Sequence, residues 1–388
     1  MKLLIFCPYY PPHTGGLESH ADEFNNHLSQ KVDGITVFTP RIPENSAEKE
    51  TRFNNVKIVR FPAFEIISNY PLPRFWSLRF WQLFFALFDE KFDIVISRTR
   101  FFFTSLLALI YAKVKRTKWI HIEHGSDFVK LSSQTKTFIA KIYDYTFGLL
   151  IFKFSDLNIS ISKAVQKFVH KFDKRNSPII YRGLDFDKID EIKPDFETKE
   201  AHKNKTIISF VGRLYKWKGV ENSIQAIKTL PNHLKEKIVF LIIGDGEDFS
   251  HLKEISKDED CIQMLGSMPR EKAIGILKVS DIYLHSAYSG GGLSTSLMEA
   301  MYCECAVIAT PNEGADEIIK HNENGLLAPK TNEISKVLED YINNEKQRRT
   351  FAKNAQESIR FNFTWDKAIQ RYLKLITHSD NINNEKII

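Results

Sequence analysis

The sequence contains little cysteine and lacks any apolar run long enough to cross a membrane. The longest such run, residues 101–112, is shorter than a bilayer span and contains a threonine and a serine. Residues 1–8 are too short for the apolar core of a signal peptide. The four cysteines have neither zinc-site spacing nor the pattern of a secreted disulfide framework; they are Cys7, Cys261, Cys303 and Cys305. We therefore expect a cytoplasmic protein in a reducing compartment.

The positive charge is concentrated in the first half of the chain. The net charge is +6, and residues 1–190 hold 27 lysines and arginines against 19 aspartates and glutamates, a net charge of +8. A basic half can face an anionic membrane surface or an anionic substrate, although a solvated surface with a modest bias has the same composition. No recognised nucleic-acid motif accompanies the charge, so we do not expect nucleic acid as a partner.

Apolar runs alternate with helical patterns along the chain, which predicts an α/β protein with parallel sheets covered by helices. The length of 388 residues favours two doubly wound domains, residues 1–190 and residues 191–363. The polar segment 183–205 is the best candidate linker. The runs that predict strands are residues 3–7, 35–39, 56–61, 93–97, 119–123 and 157–161 in the first half, and 206–211, 238–243, 261–265, 281–284 and 305–309 in the second.

Ligands in open α/β sheets bind beyond the carboxyl ends of the strands, so the loops after these runs are the candidate site, in a cleft between the domains. The segment 289–301 places three glycines, Gly290 to Gly292, before a helical pattern that carries Glu299. Phosphate at the glycines and a diol at the glutamate would form a nucleotide-sugar pocket, because glycine admits close backbone approach and a helix N-terminus favours an anion. Ser296-x-x-Glu299 equally fits a capping box, which needs no ligand.

The loop V-G-R-L-Y-K-W-K-G, residues 211–219, gathers three cations before a helical pattern. The helix dipole makes this arrangement unfavourable unless an anion binds there. Arginine offers a planar fork and lysine a point charge, so the pattern favours Arg213 and Lys218 as a diphosphate site. The alternative, that these cations are ordinary solvated surface residues, accounts well for Lys216 and poorly for Arg213.

Two loops of the first half carry weaker signals. Gly15-Gly16 lies between the first strand and the first helix and can present backbone N–H groups, although an ordinary βα turn explains it equally well. It is not a dinucleotide fingerprint, because no G-x-G-x-x-G is present. His124-Gly125 follows another strand; a histidine there is either structural or positioned to hydrogen-bond a sugar hydroxyl or phosphate.

Together these motifs resemble the retaining GT-B glycosyltransferases of the group-1, family-four class. The similarity covers nearly the whole chain. The matching elements are P-P-x-x-G-G-x-E from Pro11 to Glu18, His124-Gly125, Ser160-Ile161-Ser162, Arg182-Gly183-Leu184-Asp185, V-G-R-L-x-x-x-K-G from Val211 to Gly219, the segment Met298 to Thr310, the segment Asn324 to Pro329, and Trp365 of a C-terminal helix.

The resemblance implies two Rossmann-like, doubly wound domains facing a cleft, with a C-terminal helix and tail, residues 364–388, crossing back to the first domain. It implies transfer of a sugar from a nucleotide-diphosphate sugar with retention of configuration, without a metal or other cofactor. The resemblance implies that Arg213 and Lys218 bind the diphosphate and stabilise the leaving nucleotide, and that Glu299 holds the ribose hydroxyls. It implies that backbone N–H groups are offered to the donor by Gly290, Gly291, Gly292, Leu293 and Ser294. In the first half, it implies that Gly15 and Gly16 border the donor phosphate and that His124 contacts the transferred sugar.

The sequence departs from the family pattern at the donor site. The family has a glutamate eight residues before the position of Glu299, and this chain has Gly291 there, or Ser289 if the glycine run is aligned one step out. In the family that carboxylate helps to hold the donor sugar. Asp185-Phe186-Asp187 has the form of a metal-binding D-x-D, but its place near the candidate linker favours a helix cap.

The prediction of the acceptor rests on residues 74–85, which mix arginines with aromatic residues. Trp76, Phe80 and Phe84 fall at helical spacing. A basic aromatic helix can lie in a membrane interface and present a lipid-linked acceptor, whereas a core helix with a broad apolar face has the same pattern. With the basic first half, this favours assembly of a cell-surface polysaccharide (lipopolysaccharide, capsule or exopolysaccharide) on a glycan or lipid-linked saccharide, at the inner face of the cell membrane.

Two other functions are compatible with the same motifs. A nucleotide-sugar epimerase or phosphorylase of related fold would use the same donor pocket. A non-catalytic nucleotide-sugar-binding or scaffold protein would explain the missing glutamate at Gly291, although the retained Arg213, Lys218 and Glu299 argue against it.

Overall fold

The protein is described by a computed structural model that covers residues 1–67, 70–129, 134–288, 292–312 and 314–377. The chain forms two compact units. The first comprises Met1–Arg182 together with the segment from Trp365 onward, and the second comprises Gly183–Thr364. Among the described residues, no helix is both long enough and apolar enough to cross a membrane.

The elements of the first unit alternate between strands and helices. Its strands are β1 (Lys2–Phe6), β2 (Gly34–Pro40), β3 (Lys49–Arg52), β4 (Val56–Phe61), β5 (Ala63–Ile67), β6 (Tyr70–Pro73), β7 (Ile94–Arg98), β8 (Lys118–Glu123) and β9 (Leu157–Ser160). Its first six helices are α1 (Gly16–Ser29), α2 (Leu78–Ala86), α3 (Phe103–Lys115), α4 (Gln134–Tyr143), α5 (Leu149–Phe154) and α6 (Lys163–Val169). A π-helical turn, Asp144–Gly148, joins α4 to α5.

Seven strands of this unit form one sheet in the order β3-β4-β2-β1-β7-β8-β9. All neighbouring pairs are parallel except β3 with β4. The central strand β1 is apolar at every position after Lys2 because both faces of the sheet are covered. Leu3 and Ile5 pack in the core beneath α1, and Leu4 and Phe6 pack in the opposite core beneath α2 and α3.

The second unit repeats this architecture. Its strands are β10 (Thr206–Val211), β11 (Ile238–Ile243), β12 (Ile262–Gly266), β13 (Ile282–His285), β14 (Ala306–Ala309) and β15 (Leu326–Leu327). Its helices are α7 (Phe186–Glu191), α8 (Phe196–Ala201), α9 (Val220–Lys228), α10 (Asn232–Lys235), α11 (Phe249–Ser256), α12 (Arg270–Leu277), α13 (Thr295–Tyr302), α14 (Ala315–Ile318), α15 (Thr331–Asn343) and α16 (Glu345–Asn362).

The second sheet is parallel throughout, in the order β12-β11-β10-β13-β14-β15. This is the doubly wound 3-2-1-4-5-6 order, and the first sheet has the same order once the added edge strand β3 is set aside. The predicted fold class, two Rossmann-like α/β domains, is confirmed. The strand order reverses between β1 and β7 in the first unit and between β10 and β13 in the second.

The segment 183–205 is not a free linker. It contains α7 and α8, and it is bound to the second unit. The N–H of Leu184 donates to the carbonyl oxygen of Phe363 (2.9 Å), and the hydroxyl of Tyr302 donates to the carboxylate of Asp190 (3.0 Å). The chain passes from the first unit to the second between Arg182 and Gly183, whereas the sequence interpretation ended the first domain at residue 190.

A last helix, α17 (Trp365–Thr377), packs in the first unit, as predicted for the C-terminal crossover helix. Its apolar stripe is buried because Trp365, Ile369 and Tyr372 recur at helical spacing. The indole N–H of Trp365 donates to Glu23 of α1 (3.0 Å), and the ring of Tyr372 lies edge-on to that of Phe24, with 4.9 Å between centroids. Apolar packing and a buried polar contact together fix the helix in place.

Candidate functional site

The loops that leave β10 and β13 lie at the point where the strand order of the second sheet reverses. In doubly wound sheets this is where ligands bind, because the two loops diverge and leave a crevice. The first loop is residues 212–219 and the second is residues 286–294, of which 289–291 lie outside the described part of the chain. Predicted site residues Gly290 and Gly291 fall in that undescribed stretch.

The first loop is fixed to the neighbouring strand by close backbone contacts. The N–H of Gly212 donates to the carbonyl oxygen of Ile243 (3.0 Å), and the N–H of Leu214 donates to that of Asp245 (2.9 Å). Gly244, with a φ of +145°, leaves no room for a side chain: a Cβ there would lie 1.8 Å from the carbonyl oxygen of Gly212. The glycine turn at Gly244 is therefore structural.

The turn at Lys218 and Gly219 is attached to the end of β13. Gly219 has a φ of +65°, and a Cβ there would lie 2.0 Å from the carbonyl oxygen of Ser286. The hydroxyl of Ser286 donates to the carbonyl oxygen of Gly219 (2.7 Å) and accepts from the hydroxyl of Ser223 (2.7 Å). The turn is thus held in place by contacts within the protein, which is what a precise binding site requires.

The predicted cations lie on this fixed loop, at the start of α9. The ammonium of Lys218 lies 4.4 Å from the centre of the Trp217 ring, a favourable cation–π contact. The guanidinium of Arg213 donates to the hydroxyl of Tyr215 (3.2 Å), whose ring stacks on that of Trp217. Arg213 is exposed and Lys218 is partly buried. Aromatic side chains therefore orient both cations beside a helix N-terminus.

Glu299 is buried on α13 and ion-paired. One of its oxygens accepts hydrogen bonds from Nε (3.0 Å) and Nη2 (2.6 Å) of Arg270, the first residue of α12. The helix begins at Thr295 with Ser294 as its N-cap residue, so Ser296 lies inside the first turn and accepts a hydrogen bond from Tyr283 (2.9 Å). The capping-box interpretation of Ser296 and Glu299 is therefore wrong, since Ser296 is not the N-cap.

The start of α13 presents backbone at the same edge of the sheet. Gly292 has a φ of +147°, a conformation that favours glycine. Leu293 is almost fully buried and packs against Gly314, where a Cβ would lie 3.3 Å from the Cα of Leu293. The hydroxyl of Ser294 lies 3.2 Å from that of Ser296. The sequence thus placed Gly292, Leu293, Ser294 and Glu299 correctly at a strand-to-helix turn.

Two residues at this edge were not predicted from the sequence. Arg270 follows β12, and its position after Pro269 at a strand end was the signal that could have identified it. His285 ends β13, is almost fully buried, and neither ring nitrogen has a hydrogen-bond partner among the described residues. Burial and the charge of Lys218 lower the pKa of His285 to about 3, so the ring is neutral.

In the first unit, Gly15 and Gly16 open α1 as predicted. A Cβ at Gly15 would lie 2.4 Å from a carboxylate oxygen of Glu18, whereas no atom of the described residues lies within 4 Å of a Cβ at Gly16. The other oxygen of Glu18 lies 2.6 Å from Nδ1 of His13. The loop therefore packs tightly on the side of Gly15 and leaves open space beside Gly16.

His124 follows β8, on a turn that Glu123 organises. One oxygen of Glu123 accepts from the N–H of His124 (2.9 Å), the N–H of Gly125 (2.6 Å) and the guanidinium of Arg100 (3.1 Å). Burial opposes ionisation of Glu123, but Arg100, His121 and the Gly125 N–H outweigh it and lower its pKa to about 2. A permanently ionised carboxylate thus fixes the backbone that carries His124.

The ring of His124 is neutral at physiological pH. Burial, and the positive charge of Arg98 at the end of β7, lower the pKa of His124 to about 3. Its Nε2 has no hydrogen-bond partner within the described ranges. The ring lies edge-on to His20 of α1, with 4.9 Å between centroids. A neutral imidazole in this position can exchange hydrogen bonds with a hydroxyl group.

The triplet Asp185-Phe186-Asp187 lies at the start of α7. Asp185 occupies the N-cap position, but its side chain makes no capping hydrogen bond and instead pairs with Lys188 (2.8 Å). Asp185 therefore lies at the N-cap position, as predicted, but the predicted capping hydrogen bond is wrong.

Sequence models of two families match this chain. The model described as Glycosyltransferase Family 4 matches residues 14–188, and the model described as Glycosyl transferases group 1 matches residues 191–358. The chain belongs to the group-1 glycosyltransferases of the GT-B fold.

Individual relatives agree with this assignment. An uncharacterized glycosyltransferase of Methanocaldococcus jannaschii is 48% identical over 384 residues, which are 97% of this chain and 98% of the relative. A Campylobacter jejuni α-1,4-N-acetyl-D-galactosaminyltransferase, named for an undecaprenol-linked saccharide, is 28% identical and covers 84% of this chain and 86% of its own length. The Anabaena protein HepE, solved in complex with UDP, has a TM-score of 0.72 at 19% identity over 97% of this chain and 99% of its own, which shows a shared fold.

The buried histidines predict a pH dependence of stability. The unfolded chain protonates His285 as pH falls through about 6.5, whereas the folded chain keeps it neutral, so stability is present above that pH and is lost below it. Between pH 7.5 and 5.5 the expected contribution of His285 is a loss of about 1.4 kcal/mol. Urea unfolding at both pH values should show that His285→Asn loses less unfolding free energy than wild type as the pH is lowered. The same substitution at the exposed His251 is the control. An equal loss of unfolding free energy in His285→Asn and wild type would contradict the assignment of His285 as a buried, neutral histidine.

Proposed function

We propose that this glycosyltransferase transfers a sugar from a nucleotide-diphosphate sugar, with retention of configuration and without a metal. One observation carries the proposal. At the reversal point of the second sheet, a cation turn fixed by Gly219 and Ser286 lies on the loop after β10, and the buried Glu299 lies on the helix after β13. A fixed positive loop and a buried carboxylate at one sheet edge suit the diphosphate and the ribose of a single ligand.

The diphosphate is assigned to Arg213, Lys218 and the N-terminus of α9. Cleavage of the bond between sugar and phosphate leaves additional negative charge on the departing nucleotide. Cations that are already oriented stabilise that charge without reorganising, and this lowers the barrier more than it strengthens ground-state binding. The Trp217 and Tyr215 contacts keep the two side chains oriented in this way.

The ribose is assigned to Glu299. A carboxylate can accept hydrogen bonds from two neighbouring hydroxyls, and the pairing of Glu299 with Arg270 holds its side chain in one orientation. Gly290, Gly291, Gly292, Leu293 and Ser294 are assigned to the donor through their backbone N–H groups. Burial of Leu293 supports a fixed backbone at this turn.

The first unit is assigned the transferred sugar and the acceptor. The neutral ring of His124 supplies a hydrogen bond to a sugar hydroxyl, and the open space beside Gly16 admits a phosphate. We further propose a glycan or lipid-linked saccharide acceptor, at the inner face of a cell membrane, in the assembly of a cell-surface polysaccharide. The name of the Campylobacter relative, which specifies an undecaprenol-linked saccharide, and the net charge of +8 over residues 1–190 support this acceptor.

Nucleotide binding without added metal tests the donor assignment. Purified protein is titrated with UDP, GDP, ADP and CMP by calorimetry, and the preferred nucleotide is then supplied as its sugar-linked forms. We expect one nucleoside diphosphate to bind, and UDP is the first choice because the Anabaena structure holds it. The absence of binding by a folded sample would contradict the donor site.

Product analysis tests the reaction. Proton NMR of the product formed with lipid-linked acceptors gives the anomeric configuration directly, and retention is expected. An altered donor sugar without an acceptor would instead identify an epimerase. Tight binding with no product from any donor and acceptor pair would favour a non-catalytic binding protein.

A further inference from the structure

An unusually apolar outer face runs along α4, the π-helical turn and α5. The inner face of this run is closed by Ala140, Asp144, Gly148 and Ile151, which are buried at helical spacing. The opposite side carries large apolar side chains in water: Phe138 is 64% exposed and Ile139 is 60% exposed. The others are Ile142, Tyr145, Phe147, Leu150 and Phe154.

The apolar surface continues onto α3. Val114 is 65% exposed and Ile110 is 46% exposed. The ammonium of Lys113 lies 5.3 Å from the centre of the Phe154 ring, so the outer sides of α3 and α5 adjoin. We call this combined surface the α3–α5 face: Ile110, Val114, Phe138, Ile139, Ile142, Tyr145, Phe147, Leu150 and Phe154. Contiguous exposed apolar surface of this kind marks an interaction site.

The exposed charged residues on the helices of the α3–α5 face are of one sign. Lys113, Lys141 and Lys153 are exposed and have no ion pair with any described residue. The whole sequence of α3, α4, the π-helical turn and α5 contains a single acidic residue, Asp144, which is buried against Arg100. The outer surface therefore presents large apolar side chains and unneutralised lysines, with no carboxylate on these helices.

The α2 segment, which the sequence suggested as the interfacial helix, differs from the α3–α5 face in the burial of its aromatic residues and in the pairing of its charges. Phe80 and Phe84 are buried in the core of the first unit, so the core-helix alternative is correct for them. Its arginines are neutralised, because Arg74 pairs with Glu44 and Arg79 pairs with Glu48. Exposed aromatic residues such as Trp76 remain, but the α2 segment lacks the unpaired lysines that accompany the exposed apolar side chains of the α3–α5 face.

We propose that the α3–α5 face docks on an anionic lipid bilayer. Large apolar side chains can insert among the acyl chains near the headgroups, while lysines with long stems keep their ammonium groups at the phosphates. Each lysine near an anionic surface adds about 1 kcal/mol of attraction. Charge complementarity favours lipid over a second copy of the chain, since two copies of this face would bring like charges together.

The proposal gives the lipid-linked acceptor of the proposed function a physical route to the protein, and it rests on that function only in this respect. Vesicle binding needs neither donor nor turnover. If the protein binds anionic vesicles but no nucleotide, the donor assignment is overturned and the docking surface is supported. If it binds a nucleotide but no anionic vesicles, the donor assignment is supported and the docking surface is overturned.

Co-sedimentation with vesicles tests the docking surface. Full-length protein is mixed with phosphatidylcholine vesicles that contain or lack phosphatidylglycerol. We expect binding to the anionic vesicles that weakens with added salt, and little binding to the neutral ones. The variant Phe138→Ser/Ile142→Ser should bind at least about tenfold more weakly, because two apolar insertions are lost. Trp76→Ser, which removes a 71% exposed aromatic beside α2, is the matched control and should change binding less than about twofold.

Three results would overturn the proposal. One is no binding of wild-type protein to anionic vesicles, and another is equal weakening by the double variant and the Trp76 control. The third is a wild-type dimer in light scattering that the double variant converts to monomer, which would assign the face to a second copy of the chain. The melting temperature and nucleotide affinity of each variant confirm that its fold is intact.

Discussion

Replacing Lys218 with alanine is expected to weaken the binding of a nucleoside diphosphate by about 10- to 100-fold. The reason is the loss of a charge-assisted contact worth about 1.5–3 kcal/mol. The Gly219 turn holds Lys218 beside the N-terminus of α9, so the charge and the helix dipole act on the same anion. Arg213→Ala should act in the same direction with a smaller effect, because its guanidinium is exposed. Calorimetric titration of each variant measures the change.

Lys216 provides a close control for this experiment. It lies on the same loop, two residues before Lys218, and its side chain is exposed. Lys216→Ala removes one positive charge from the loop and should change nucleotide affinity less than about threefold, since exposed charges are screened by solvent. Equal losses in the Lys216 and Lys218 variants would show that the loop attracts anions only through its overall charge. The specific diphosphate site would then be wrong.

The fold was predictable where strands are buried on both faces. Thr206–Val211 and Ile238–Ile243 are strands with the same limits that the apolar runs predicted, because helices cover both sides of the sheet and demand an unbroken apolar segment. The pair β5 and β6 was missed. It contains Pro71 and Pro73, which argue against a strand, and it lies outside the main sheet. β15 was missed because its two residues are too few for a pattern.

The loops that carry the candidate site could be predicted from the sequence, whereas the side-chain contacts within the site could not. Strand-to-helix turns rich in glycine or cations have local signatures, so the positions of Gly16, Arg213, Lys218 and Glu299 followed from the sequence. The pairing of Glu299 with Arg270 joins residues that are 29 positions apart on two different helices, and it depends on how those helices pack. The approach of Gly219 to Ser286, next to His285, likewise joins two loops that are distant in the sequence. Tertiary contacts of this kind leave no periodic signal in a sequence.

The second large effect is expected at Glu299. Glu299→Gln keeps the size of the side chain but removes the charge that pairs with Arg270 and that would accept the ribose hydroxyls. We expect the affinity for a nucleoside diphosphate to fall by about tenfold or more, because hydrogen bonds to a charged group are lost. Inorganic pyrophosphate, which has no ribose, should bind within about twofold of wild type. Competition calorimetry with both ligands separates these outcomes.

The comparison between the two ligands decides what Glu299 does. Glu304→Gln makes the same chemical change at an exposed position just beyond α13, and it should affect neither ligand. Arg270→Ala leaves the carboxylate in place but removes its partner, so a loss confined to the nucleoside diphosphate would make Arg270 a positioning residue for Glu299. If Glu299→Gln weakened pyrophosphate as much as the nucleotide, the carboxylate would be acting on the shape of the phosphate loop. The ribose assignment would then fail, because a side chain that contacts the ribose should not affect a ligand that lacks the nucleoside.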